Sequence, residues 1–331
     1  MHDAIHPFAR LDPARVVAAV ESLGFWLPGE PFALNSYENR VYLVHDDERR
    51  RWVVKFYRPE RWADAQIQEE HDFLAELADE GVSVAAPWRD AAGASLHHHD
   101  GFRFAVFPQL PGQAPELESP EHLFALGEVI GAVHAVGERR AFAQRRTLAP
   151  AAMAEEAVQG VLDSGRLDAR QRRAYARVSE ALREHLADGA VERASFLRAQ
   201  GDCHLGNLLG RDGHFALVDF DDCLMAPAIQ DLWMLFTAQD EGERQMQLSE
   251  VIEGYEQHRD FDRAELALVE PLRTLRLLRH SAWLVDRWED PAFPRAFPWL
   301  VDAGYWDSHI RQLEQQRQAL EAAPRWLAGG P

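Results

Sequence analysis

The sequence predicts an α+β chain in two lobes. Residues 1–108 form a small, sheet-rich N-terminal lobe, 109–115 a hinge, and 116–331 a larger, mostly helical lobe. Three observations carry that prediction. Alternating apolar runs crowd the first 108 residues. Pro108, Pro111 and Pro115, with Gly112 among them, interrupt the chain. Beyond them the apolar pattern is helical, except in one stretch near residue 200.

The elements follow in order. Residues 11–24 read as a helix, with Asp12 as cap, Pro13 in the first turn and Gly24 at the exit. "FALNSYENRVYLVHDDERRRWVVKFYRP" reads as two strands around the polar turn His45–Arg51, the second ended by Pro59. Residues 61–80 read as a helix closed by Gly81, and "FRFAVFPQL" as another strand ending at Pro108. Ser119 and Pro120 open a helix that runs to Gly137, and helical patterns fill 150–188 and 227–320. Residues 195–221 are the exception: a strand, a polar loop, then a hairpin turning at Asp212-Gly213. Two lobes joined by a short hinge imply a cleft, a common location for a ligand.

Composition narrows the function. With 47% hydrophobic residues the chain is globular, and a formal charge of −19 argues against a nucleic-acid partner. No secretion signal or membrane-length apolar run is visible, so a cytoplasmic protein, expected to be monomeric and away from membranes, is the reading. The two cysteines, Cys203 and Cys223, imply no disulfide framework and read as small fillers. Of 35 basic residues, 34 are arginine, and the single lysine is Lys55 in "RWVVKFYRP". Arginine's fork and lysine's compact charge suit different sites, which makes the exception informative.

The polar loop "QGDCHLGNLL" carries the chemistry. Folding the chain at Asp212-Gly213 brings Asn207 to within about one residue of Asp219 across an antiparallel pair. An amide oxygen and a carboxylate at a hairpin mouth suit a hard divalent cation, above all magnesium, which keeps water and phosphate in its shell. Asp202, just ahead of that mouth, is placed to take a proton from a hydroxyl. In the helix over 61–80, Glu70 lies within the stripe Ile67, Phe73, Leu74 and Leu77, where a lone carboxylate is costly, while Glu69 points about 100° away. Strand alternation puts Val53, Lys55 and Tyr57 on one face, so Lys55 is the economical partner for Glu70. A lysine held by a helical glutamate, an aspartate with asparagine five positions later, and a strand-end aspartate make up a phosphoryl-transfer site for ATP.

These motifs resemble the kinase-like superfamily that includes aminoglycoside phosphotransferases and choline kinases. Within it, "LNSYENRVYLV", "GDCHLGNLL" and "VDFDDCLMAPAIQDLWML" look most like the stress response kinase A family, over nearly the whole chain. The resemblance implies a protein-kinase-like fold and ATP- and magnesium-dependent transfer to protein serine or threonine. On it Asp202 is the proton acceptor, and Asn207 and Asp219 bind magnesium. Asp219 is also a candidate transient phosphoryl acceptor, a role ranked below metal binding because a carboxylate on magnesium is a poor nucleophile. Ser36 corresponds to the ATP-contacting position, although "NSYENR" has no glycine for close phosphate approach. Backbone groups near Gln109 and Leu110, in "VFPQLPG", would bind adenine.

Other features read more plainly. Where protein kinases carry Asp-Phe-Gly this chain has Asp219-Phe220-Asp221, so their activation switch does not transfer; Asp221 or Asp222 serves a second metal or lies in a solvated loop. His204 braces the loop, and Asp231 resembles the family's loop-supporting aspartate or starts a helix. His97-His98-His99-Asp100 is an exposed hairpin turn rather than a zinc site. Trp283, Trp288 and Trp299 are core or cleft lining. The alternatives to a protein kinase are a small-molecule hydroxyl kinase, a nucleotide-binding scaffold without turnover, and a metal-dependent phosphohydrolase.

Overall fold

The computed structural model describes residues 6–117, 119–238, 240–302 and 304–322. Helix α1 (Pro13–Glu21) precedes strands β1 (Phe32–Ala33), β2 (Arg40–His45) and β3 (Arg51–Phe56). Helix α2 (Asp64–Asp79) leads to β4 (His97–His99), β5 (Phe102–Pro108) and α3 (Pro120–Gly137). After α4 (Pro150–Asp163) and α5 (Ala169–Leu186) come four short strands: β6 (Leu197–Ala199), β7 (Leu208–Arg211), β8 (His214–Leu217) and β9 (Leu224–Ala226). Helices α6 (Glu241–Tyr255), α7 (Val269–Asp286), α8 (Ala292–Ala296) and α9 (Tyr305–Glu321) follow. The fold is α+β, sheet-rich toward the N-terminus and helical toward the C-terminus. No helix among the described residues is long and apolar enough to cross a membrane.

The N-terminal sheet has the order β1-β2-β3-β5-β4, every neighbouring pair antiparallel. Its central strand, β3, splits its side chains by alternation. Val54 and Phe56 join Val16, Val20 and Phe104 in an apolar core under α1. Lys55 and Tyr57 point the other way, toward α2, where the Tyr57 hydroxyl meets His71 Nε2 at 2.7 Å. α1 is capped as its sequence implies: Asp12 accepts the Arg15 N–H at 2.8 Å and Pro13 fills the first turn.

Contacts divide the chain into two compact units. The first runs through Arg146 and adds Leu197–Met225 and Met234–Phe261; all the residues expected to bind or react lie in it. Within it α3 and α6 meet backbone to backbone. A Cβ on Gly254 would stand 1.9 Å from the Phe124 carbonyl, and one on Gly127 2.1 Å from that of Val251. The β7–β8 hairpin is bonded to two further segments: the Leu217 N–H donates to Ser83, and Gln113 and Gly210 exchange both backbone bonds. The second unit comprises Thr147–Phe196, Ala226–Trp233 and Asp262–Pro331; in it α4 packs on α7 and α5 on α9. Trp283 there is half-buried, packed against Phe293 and Phe297 with ring centroids 4.8 and 5.6 Å away; Trp288 is also half-buried, and Trp299 is exposed rather than core.

Three local expectations change. The helix expected from residue 61 starts at Asp64, which leaves Arg61 in the preceding loop. The start of the expected 227–320 helical stretch is instead 3₁₀ turns, Ala228–Asp231 and Trp233–Leu235, with Asp231 fully buried at the end of the first. His97–His99 is strand, and the turn falls on Asp100-Gly101, both at positive φ; His97 is buried against Trp88 and Phe104.

Candidate active site

Lys55 sits mid-strand, paired in register with Val41 on β2 and Ala105 on β5, and only 7% of it is exposed. Its ammonium lies 3.0 Å from Asp221 Oδ1, 3.2 Å from Asp219 Oδ1 and 3.5 Å from Glu70 Oε1. The expected Lys55–Glu70 pair is present, but Glu70 is the most distant of three carboxylates. Asp221 is 3% exposed, so it does not lie in a solvated loop; its other oxygen meets Arg61. Arg61 also grips Asp222 through both carboxylate oxygens, at 2.8 and 2.9 Å.

Burial and neighbouring charges shift these groups in different directions. Burial alone would lower the Lys55 pKa, but Asp221, Glu70 and Asp219 hold it well above its usual 10.5. Burial pushes Glu70 up, against the pull of Lys55 and Arg145. At Asp221 burial works in the same upward direction, yet Arg61, Lys55 and Arg145 overcome it and hold the carboxyl well below its usual range. Burial raises the neighbouring Cys223 thiol far out of the nucleophilic range, in keeping with a filler.

The loop between β6 and β7 is shaped by its own hydrogen bonds. Gly201 is at φ +90°, and a Cβ there would stand 2.3 Å from the Asp222 carbonyl, so only glycine lets the two segments approach. The Asp202 carbonyl accepts from Asn207 Nδ2 at 3.0 Å, which turns the amide so that Oδ1 is its remaining ligand atom. His204 Nδ1 accepts the Gly206 N–H at 2.9 Å, and Nε2 lies 3.5 Å from Asp202 Oδ2; the histidine braces this turn. The hairpin has the expected two-residue turn, Asp212 and Gly213 both at positive φ and Arg211 opposite His214. Leu208 therefore faces Leu217, and Val218 donates to the Asn207 carbonyl at 3.0 Å, which places Asn207 one residue from Asp219 across the mouth. Asp219 is at φ +55°, with its side chain 55% exposed.

Ser36 and Gln109 are partly committed elsewhere. The Ser36 hydroxyl accepts the Val41 N–H at 3.1 Å, stapling the turn between β1 and β2. That turn keeps its shape without glycine through Arg58, which donates to the Glu38 carbonyl at 2.9 Å and the Tyr37 carbonyl at 3.2 Å, while Asn39 Oδ1 accepts the Arg58 N–H. The Gln109 N–H extends the sheet by donating to the Arg51 carbonyl at 3.1 Å.

Two contributors escape the sequence reading. Gln200, fully buried, accepts the Asp202 N–H at 2.8 Å and donates to the carbonyls of Val218 and Asp219 at 3.1 and 2.7 Å. One side chain thus ties the Asp202 backbone to that of Asp219; its only sequence signal is a polar residue closing the run "SFLRAQ". Arg145, from a segment with no motif, donates to Glu70 Oε2 at 2.6 Å and to the Asp221 carbonyl at 2.7 Å. Among the described residues no three His, Cys, Asp or Glu side chains converge as a metal cage. Asn207 and Asp219 supply two oxygen donors, the type magnesium prefers when phosphate and water complete its shell.

Residues 30–269 match a sequence family described as "Phosphotransferase enzyme family". Over 327 residues, 99% of either chain, the sequence is 40% identical to a Salmonella typhimurium protein named serine/threonine protein kinase RdoA. It is similar to the same extent and over the same coverage to stress response kinase A of Escherichia coli (strain K12). Among solved structures, the amicoumacin kinase hAmiN in complex with AMP-PNP, Ca2+ and Ami shares the fold, with a TM-score of 0.73 and 21% identity over 97% of this chain and 96% of that one.

Proposed function

The chain belongs to the stress response kinase A family, within the phosphotransferase enzyme family, and from that premise we propose that it transfers the γ-phosphate of ATP to a hydroxyl, with protein serine or threonine as acceptor. The observation that carries this reading is the Lys55 ammonium, the chain's only one, held by three carboxylates beside a loop that aligns Asp202 and Asn207. Lys55, Arg61 and Arg145 face four carboxylates there, Glu70, Asp219, Asp221 and Asp222, and the acid in excess suits a divalent cation arriving with the phosphates. Residues 1–108 act as the nucleotide-binding lobe, 109–115 as the hinge and 116–331 as the catalytic and acceptor lobe. The enzyme works in the cytoplasm as a monomer.

Asn207 Oδ1 and the Asp219 carboxylate would hold magnesium, which would supply positive charge to offset that of the phosphates. Lys55 orients the phosphates, and Glu70 keeps it from swinging out of register. Ser36 and the turn around it approach the phosphates, and the Gln109 carbonyl and Leu110 backbone take the adenine edge. Asp202 accepts the proton of the attacking hydroxyl, its carboxylate aimed by the Gln200 bond to its backbone and by His204.

The protein acceptor rests on the name of the RdoA relative. A small-molecule acceptor is the second reading, supported by the antibiotic kinase that shares the fold. Transfer of labelled phosphate to generic protein and to a panel of hydroxyl metabolites, with wild type and Asp202→Ala, tests both. Label on protein that disappears in the variant is the expected result. Label only on a metabolite overturns the acceptor, and transfer that survives in Asp202→Ala overturns the mechanism.

A further inference from the structure

Helix α2 is fastened along one face to the chain that follows α3. Glu69 accepts three successive backbone N–H groups, from Ala143 at 2.5 Å and from Gln144 and Arg145 at 2.7 Å. Arg145 itself is 4% exposed and engages all three nitrogens of its fork: Nε to the Gln66 carbonyl at 2.8 Å, Nη2 to Glu70 Oε2 and Nη1 to the Asp221 carbonyl. Its guanidinium lies 4.5 Å from the Trp62 ring centroid. Further along the helix, Glu76 is gripped through both oxygens by the buried Arg198, which also donates to the Val136 carbonyl at the end of α3.

We propose that Arg145 is the positioning residue of the lysine site: it locks Glu70 and the Asp221 segment together, so that Lys55 is held ready and α2 does not swing. The two oxygens of Glu70 divide the work, Oε1 facing Lys55 and Oε2 facing Arg145. An arginine fork can bond a carboxylate and a carbonyl at once, which a lysine's single ammonium cannot do in the same geometry. The consequence is a kinase whose lysine-holding helix is fixed in its working position by its own chain, with no separate activation step for that helix.

The role assigned to Arg145 rests on the proposed ATP chemistry, but its test need not. Because Lys55 is the only lysine, acylation by an amine-directed reagent, followed by peptide mass spectrometry, reports this one side chain. In the full chain, Arg145→Met is expected to acylate the neutral Lys55 amine at least about tenfold faster, the rate constant being taken from a pH series because loss of a nearby cation makes the ammonium harder to deprotonate. It should also lower kcat/KM for ATP by about 10- to 100-fold, mostly through KM, the size of one lost charge-assisted hydrogen bond. Arg145→Lys, which keeps the charge and is the variant more certain to fold, adds a second lysine on a different peptide; read on the Lys55 peptide alone, it should fall between wild type and Arg145→Met in both measurements. Acylation at the wild-type rate in Arg145→Lys and Arg145→Met overturns the proposal. So does a loss of kcat/KM that follows melting temperature alone and is equal in the two variants. If wild type transfers no phosphate, the kinase reading fails while the acylation result still decides the clamp.

Discussion

Replacing Lys55 with methionine removes a charge while keeping a side chain of similar length. Three cations, Lys55, Arg61 and Arg145, face Glu70, Asp219, Asp221 and Asp222 in wild type; the variant leaves two. Breaking one partner out of a buried ion pair costs about 3–5 kcal/mol. Arg145 still faces Glu70 and Arg61 still faces Asp221, so the expected loss is smaller, about 2–3 kcal/mol near neutral pH. For a chain of 331 residues that is a fall of roughly 3–4 °C in melting temperature. The pH dependence gives the sharper check. Glu70 already has a raised pKa, and without Lys55 it rises further, so the folded variant binds a proton that the unfolded chain releases above the usual 4.5. The stability this proton brings is present at low pH and lost as pH rises through the folded value. Urea melts at about pH 5 and pH 8 should therefore show a deficit against wild type that is small at the lower pH and full at the higher. A variant as stable as wild type at pH ~8, or a deficit that grows toward acid, would refute the charge balance drawn above.

Gln200→Leu keeps the volume but removes one acceptor and two donors between Asp202 and Asp219; kcat should drop by about 100-fold, with ATP binding by calorimetry little changed. Asn207→Ala removes an amide oxygen from the metal pair, so the magnesium concentration for half-maximal activity should rise by about tenfold or more, read from a titration at saturating ATP. Gly254→Ala puts a Cβ against the Phe124 carbonyl and should destabilise by about 3 kcal/mol or more in chemical denaturation, because the obstruction is backbone and cannot rotate away.

Much of the fold is legible in the chain because it is local. Ser119 and Pro120 start α3 where a cap and a first-turn proline belong, and the α1 signals at Asp12 and Pro13 act as expected. The turn residues Asp212 and Gly213 accept positive φ, which sets the β7–β8 register and with it the approach of Asn207 to Asp219. The Lys55–Glu70 contact was readable for a different reason: a carboxylate within an apolar stripe demands a cation, and the chain has few to offer on the facing strand. The histidine run and the 227–240 segment were less legible, since short runs of mixed polarity fit strand, turn and 3₁₀ helix equally well by periodicity.

By itself the sequence determined the order of helices and strands, the hairpin mouth and the burial of a glutamate facing a unique lysine. Each follows from periodicity or turn chemistry within a few residues. Only the tertiary structure decided that Asp221 stands nearer to Lys55 than Glu70 does, that Arg145 takes the other half of Glu70, and that Gln200 spans the two aspartates. Those choices depend on which distant segments the core brings together. Coulombic attraction and hydrogen bonds act through space, and a chain with 34 arginines carries no local mark on the one that closes the site.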